Sequence, residues 1–175
     1  MDMYNIWLLV VIFIFHDMEE ITGMKRWLIK NYDRIINRVP LSEKILSKYK
    51  NVSTAAFATA VYEELILLIL ICLLAQISHL PVIYGIWFGG LIGFTIHLFV
   101  HLMQAAIIRS YVPALITSIL CIPASILLIK TSYPLIEMHT SVLTGIFIGI
   151  AGVAVNLKLA HMLMLRIEKM HISSC

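Results

Sequence analysis

The segment His16-Asp17-Met18-Glu19-Glu20 puts an imidazole and three carboxylates within about a turn and a half of helix. His16 and Glu20 are spaced i,i+4 and His16 and Glu19 i,i+3, so one face can present nitrogen and oxygen donors together. Asp17 and Met18 are expected on the helix's other side. Three more groups occur in apolar surroundings. Glu63-Glu64 interrupts a run between Ala55 and Leu68. His97 and His101 are again i,i+4, with Gln104 following, and Asn156 and His161 lie in the last apolar stretch. Two imidazoles from one helix, an imidazole and a carboxylate from another and a carboxylate from a third form a ligand set that zinc accepts. Two histidines and a carboxylate with open positions also suit ferrous iron, and the number of carboxylates leaves room for two metals. The expected ligands are His16, Glu20, Glu64, His97 and His101, with zinc the leading ion and iron the alternative. Glu19, Glu20, Glu63 and Glu64 are the candidates for general base on a bound water, with Asn156 as an orienting or oxyanion-stabilising group.

Such groups need elements that hold them, and the composition says which. The 175 residues are 61% hydrophobic and only 13% charged, against about a quarter charged in an ordinary soluble domain. Mean hydropathy is +0.94. A soluble core could not hide that much apolar surface, so lipid is the expected solvent. The reading is an all-α, polytopic membrane bundle forming a single domain over 1–175. Its five spans fall near 4–24, 53–77, 81–108, 112–129 and 140–165. The apolar run from Tyr4 to Phe15 gives only about 18 Å of helix, too short for roughly 30 Å of hydrocarbon. That span must therefore continue through the acidic segment to about Met24, with Lys25, Arg26 and Trp27 as an interfacial anchor. The net charge of +3 resides mostly in 25–50 and gives no reason to invoke nucleic acid. It marks a cytoplasmic loop over about 25–52, amphipathic and broken by Pro40, that rests on the inner membrane surface. Basic loops alternate with poor ones, which puts the N-terminus outside and the C-terminus in the cytoplasm, as expected of a multi-pass protein of the cell membrane. The N-terminal run lacks a basic n-region and a small-x-small cleavage site, so it is expected to be retained as a span.

Depth tests whether the polar groups belong together. Counted at 1.5 Å per residue from the nearest inner basic residue, Glu20 and His16 lie about 8 and 14 Å deep. Glu63 lies about 20 Å deep, and His101 and His97 about 12 and 18 Å. His161 and Asn156 lie about 8 and 15 Å deep. All fall in the inner half although the spans alternate in direction. Hydrogen bonds between membrane helices average under about 1 kcal/mol, too little to repay burying several carboxylates merely to pin a bundle. His79 and His139 fall at outer loops and His171 in the tail, outside the site. Cys72, Cys121 and Cys175 read as reduced, and Lys158 as snorkelling to the headgroups. Gly85, Gly89, Gly90, Gly93, Gly145, Gly149 and Gly152 read as close helix contacts. Trp7, Trp27 and Trp87 read as interface anchors or packing, and Tyr111-Val112-Pro113 as a turn with proline in the first turn of span four.

The run from His16 to Glu20, together with Glu63-Glu64, His97-x-x-x-His101 and Tyr111-x-Pro113, resembles the HXXEE-motif membrane protein family over most of the chain. That resemblance implies a helical membrane fold and a site on those residues, not a particular reaction. A looser similarity of chemistry links the chain to the CAAX-type prenyl endopeptidases, which pair Glu-Glu with Phe-x-x-x-His and a later His-x-x-x-Asn. Here Gly93 stands four before His97, Lys25 follows the acidic pair and no His-x-x-x-Asn reaches Asn156, so those motifs are absent. The function expected from the residues is a membrane-embedded hydrolase acting on a peptide or lipid-like substrate from the inner leaflet. An iron-dependent lipid oxidoreductase and a cation- or proton-coupled transporter are the alternatives, and the featureless outer half argues against a through-path.

Overall fold

The computed structural model describes residues 3–78 and 80–173, with side chains from Asn5 to Met170 apart from position 79. Of the described residues 90% are helical, and none is in a strand. The helices are α1 (Met3–Arg38), α2 (Glu43–Tyr49), α3 (Thr54–Ile77), α4 (Pro81–Ile108), α5 (Leu115–Ser132) and α6 (Thr140–Ser173). Four of them, α3 to α6, are long and apolar enough to cross a membrane. In α1 the apolar run ends at Phe15, before the acidic residues at 17, 19 and 20. Its Ile6, Leu9 and Val10 are nevertheless buried in the common core with Trp87 and Leu91 of α4, while Val11, Ile14 and Phe15 are exposed on the outside.

Two boundaries depart from the sequence reading. The stretch after Met24 is helix, not loop: α1 continues past it to Arg38, 36 residues in all, about 54 Å of helix. Leu28 and Ile35, seven apart, bury against Ile108 and Val112. The Trp27 indole donates to the Tyr111 carbonyl at 2.6 Å, and Arg34 to the Ser110 hydroxyl at 3.0 Å. The apolar stripe thus finds cover on the α4–α5 turn, and Pro40, not the interface, stops the helix. At the other boundary Arg109 and Ala114 both adopt left-handed backbone, with φ of 51° and 66°. That delays α5 to Leu115 and leaves Pro113 in the turn instead of the helix's first turn.

α4 and α6 pack most closely. A side chain on Gly85, Gly89, Gly145 or Gly149 would collide with the backbone of the opposite helix, Gly89 with the Ile146 carbonyl and Gly149 with the Ile86 carbonyl. Gly90 and Gly152 differ: nothing lies within 4 Å of an added Cβ, because both line an internal cavity. Gly89→Ala is therefore expected to cost about 3 kcal/mol by forcing the helices apart, whereas Gly90→Ala should stay within about 0.5 kcal/mol. Unfolding of the two variants in detergent checks this; equal losses would contradict it. Trp87 is wholly buried and donates its indole N–H to the Ile6 carbonyl at 3.2 Å, so it is core and not an interface anchor. Cys72 and Cys121 are buried and free. His79, His171 and Cys175 lie outside the residues whose side chains are described.

Candidate metal centre

His16 on α1 is fully buried, and it meets His97 and His101 of α4. The ring centroids of His16 stand 5.6 Å from His97 and 5.0 Å from His101. One ring nitrogen from each of the three lies within 4.8 Å of the others. The Nε2 atoms of His97 and His101 are 3.0 Å apart. Two imidazole nitrogens on one tetrahedral zinc, at about 2.0–2.1 Å each, would stand about 3.3 Å apart. The pair is thus already spaced for one ion, and His16 would need to close by at most about 1.5 Å. Its Nε2 and the Nδ1 of His101 are buried without a hydrogen-bond partner. Phe94 packs edge-on against His16 at 5.6 Å and closes the apolar side of the cluster.

The carboxylates divide. Glu20 joins the histidines, with Oε1 3.8 Å from His101 Nε2. Glu64 lines the same cavity wall, within electrostatic reach of Glu20 and Asp17. Glu63 is not on that wall, although its Oε2 is buried and unpartnered. Glu19, adjacent to Glu20 in sequence, points elsewhere and accepts from the Tyr111 hydroxyl at 2.6 Å. It also accepts from the Thr117 N–H and hydroxyl, both at 2.7 Å, and from the Ile116 N–H at 3.4 Å. Those two N–H groups belong to the first turn of α5, where helical donors lack internal partners, and Ala114 at the cap position has no side-chain oxygen to offer. Glu19 therefore caps α5 from another helix instead of facing the histidines. Tyr111 is a lasting donor to it: burial and the Glu19 carboxylate push the phenol up to about 12.

Asp17 was set on the wrong side of the helix by the sequence reading. It is 5% exposed, lines the cavity, and has an unpartnered Oδ2. At about 100° per residue Asp17 lies about 60° from Glu20, the same angle that separates Glu19 from His16 in the opposite sense. The acidic pair and Asp17 thus fan out around the His16 direction, and their i,i+3 spacing (Asp17 to Glu20) was the available signal. Among the described residues no lysine or arginine stands within ion-pair distance of Asp17, Glu20 or Glu64. Thr117, which touches both His16 and Glu19, carries no sequence signal because it is one of five hydroxyl residues in α5 and has no ionisable neighbour there within a turn.

The cavity beside the cluster has a volume of about 740 Å³. Its walls are mostly aliphatic and aromatic, with Asp17, Glu20, Glu64, His97, His101 and Asn156 as the polar patch. Asn156 and His161 come from α6. The His161 Nδ1–H donates to the Leu157 carbonyl at 2.6 Å, and its ring meets Tyr49 edge-on at 5.6 Å, both residues lining the cavity. His139 is exposed and pairs with Glu137 at 3.2 Å, away from the site.

A family model described as "Protein of unknown function with HXXEE motif" matches residues 7–128. No curated protein and no solved structure matches the chain. The matched stretch contains His16, Glu19, Glu20, Glu64, His97, His101 and Thr117, and ends before α6 with its Asn156 and His161.

Proposed function

The chain belongs to the HXXEE-motif family, and we propose that it is a zinc-dependent hydrolase embedded in the membrane, acting on a lipid-like substrate. The observation that carries this reading is the convergence of His16, His97 and His101 within 4.8 Å, with His97 and His101 on the wall of a large apolar cavity. Glu20 stands beside them as the fourth ligand. A zinc ion held there would supply a nucleophile at neutral pH by acidifying a water. Glu64, with Asp17 on the same cavity wall, would serve as the general base and then as the acid toward the leaving oxygen of an acyl substrate, and Asn156 as the donor to the developing oxyanion. The apolar lining favours an acyl chain over a peptide, and the volume lies in the range of small-molecule sites.

In this reading α1 crosses the membrane as a fifth span, with the N-terminus outside and the C-terminus in the cytoplasm. The basic residues between Lys25 and Lys50 support that orientation. The site then sits in the inner half of the cell membrane, and the substrate enters from the inner leaflet.

Elemental analysis of the protein purified in detergent, without affinity metal, tests the proposal. About one zinc per chain is expected, with its removal by a chelator lowering the unfolding temperature, since a ligand held at about a thousand times its Kd stabilises by about 4 kcal/mol. Stoichiometric iron instead would replace hydrolysis by lipid oxidation. A protein that binds neither ion at micromolar concentration would overturn both.

A further inference from the structure

We infer that Thr117 and Glu19 fix the proton of His16 on Nδ1, leaving Nε2 as the bare, ligand-bearing nitrogen. Glu19 accepts four donors: the Tyr111 hydroxyl, the Thr117 hydroxyl and the N–H groups of Ile116 and Thr117, at 2.6, 2.7, 3.4 and 2.7 Å. A carboxylate offers about four lone-pair sites, so this one is filled and acts only as an acceptor.

The Thr117 hydroxyl has a single hydrogen. Its shortest contact by far is Glu19 Oε2 at 2.7 Å, whereas the carbonyls of Ala114 and His16 stand at 3.3 and 3.4 Å. The hydrogen therefore goes to the carboxylate, and Oγ1 has only lone pairs left for the ring atom 3.3 Å away, His16 Nδ1. Nδ1 must then supply the proton. A neutral ring carrying its proton there has an unprotonated Nε2, and that is the atom buried without a partner on a ring that meets His97 and His101. Leaving such an acceptor orphaned is unfavourable, and a cation on Nε2 removes that penalty.

Two residues of the His-x-x-Glu-Glu segment thus act on one imidazole from opposite ends. Glu20 shares the cluster with His16, and Glu19 reaches its far nitrogen through a helix about one hundred residues downstream. Glu19 and Thr117 are positioning residues. The link to metal binding rests on the zinc reading above, but the tautomer itself does not.

The test uses full-length protein labelled with ¹⁵N-histidine in detergent, with the His16 signals assigned by their loss in His16→Gln. The metal-free wild type is expected to show a protonated Nδ1 and a bare Nε2. Thr117→Val, nearly the same shape without the oxygen, should give a mixture of tautomers, and Thr117→Ser should restore the single one. Glu19→Gln is the second variant; its amide no longer takes the threonine proton alone, and it should mix the tautomers as well. Zinc affinity, read by competition with a chromophoric chelator, should fall about 10–100-fold in Thr117→Val and recover in Thr117→Ser. A wild-type proton on Nε2, or an unchanged tautomer in both Thr117→Val and Glu19→Gln, overturns the inference. If the tautomer responds as described while the wild type binds no zinc, the inference stands and the metal centre falls.

Discussion

His101→Ala is expected to strip the protein of its metal, with zinc content falling from about one per chain to background and affinity dropping by more than 100-fold. The bound is a lower one: groups that merely orient a ligand are already worth 10–100-fold, and His101 is itself central to the cluster. Its Nε2 is 3.0 Å from that of His97 and 3.8 Å from Glu20 Oε1, and its ring is 5.0 Å from His16. Removing it leaves His16 and His97 with no nitrogen bridging them. The imidazole is buried, so His101→Gln serves as the variant that fills the space and keeps a polar end. Both are expected to lose the ion, while His139→Ala, on the exposed pair with Glu137, keeps it. Zinc retained at full stoichiometry in the folded His101 variants would remove the histidine cluster as the site.

Glu64→Gln should lower turnover by about 10²–10⁴-fold, the usual worth of a general base, while zinc remains bound. The neighbouring Glu63→Gln should change turnover by no more than about threefold. The two residues are indistinguishable by composition, but a rotation of about 100° around the helix axis separates them. That rotation puts Glu64 on the cavity wall with Asp17 and Glu20 and leaves Glu63 off it. Hydrolysis of short- and long-chain acyl esters presented in mixed micelles gives the measurement. Equal effects at the two positions would mean that the cavity wall does not define the reacting face, and a full loss of zinc in Glu64→Gln would make it a ligand instead of a base.

The cost of burying ionisable groups explains how far the residues could be read in isolation. His16, Glu20, His97 and His101 stood out because each is expensive in lipid and each recurs at helical spacing, and the folded chain does gather them. Asp17 and Glu19 were exchanged in role, since a helical wheel gives the angle of a side chain but not which neighbour will stand there. Glu19 turned out to face the open first turn of α5, a set of donors that exists only because Arg109 and Ala114 reverse the backbone just before it. In the same way the glycines at 85, 89, 145 and 149 read correctly as close contacts, whereas those at 90 and 152 border empty space that no pattern in the sequence announces.

The apolar runs and their lengths determined by themselves that the chain is a bundle of long helices suited to a membrane. Local spacing also determined which polar residues could share a helical face, because both properties depend on near neighbours and on the solvent alone. The tertiary structure decided the rest: that α1 runs on to Arg38 along the α4–α5 turn, that Glu64 and not Glu63 reaches the cavity, and that Thr117 joins His16 to Glu19. Each of these depends on contacts between residues far apart in the chain. Such contacts are fixed by how whole helices pack and rotate against one another, which no stretch of the sequence encodes on its own.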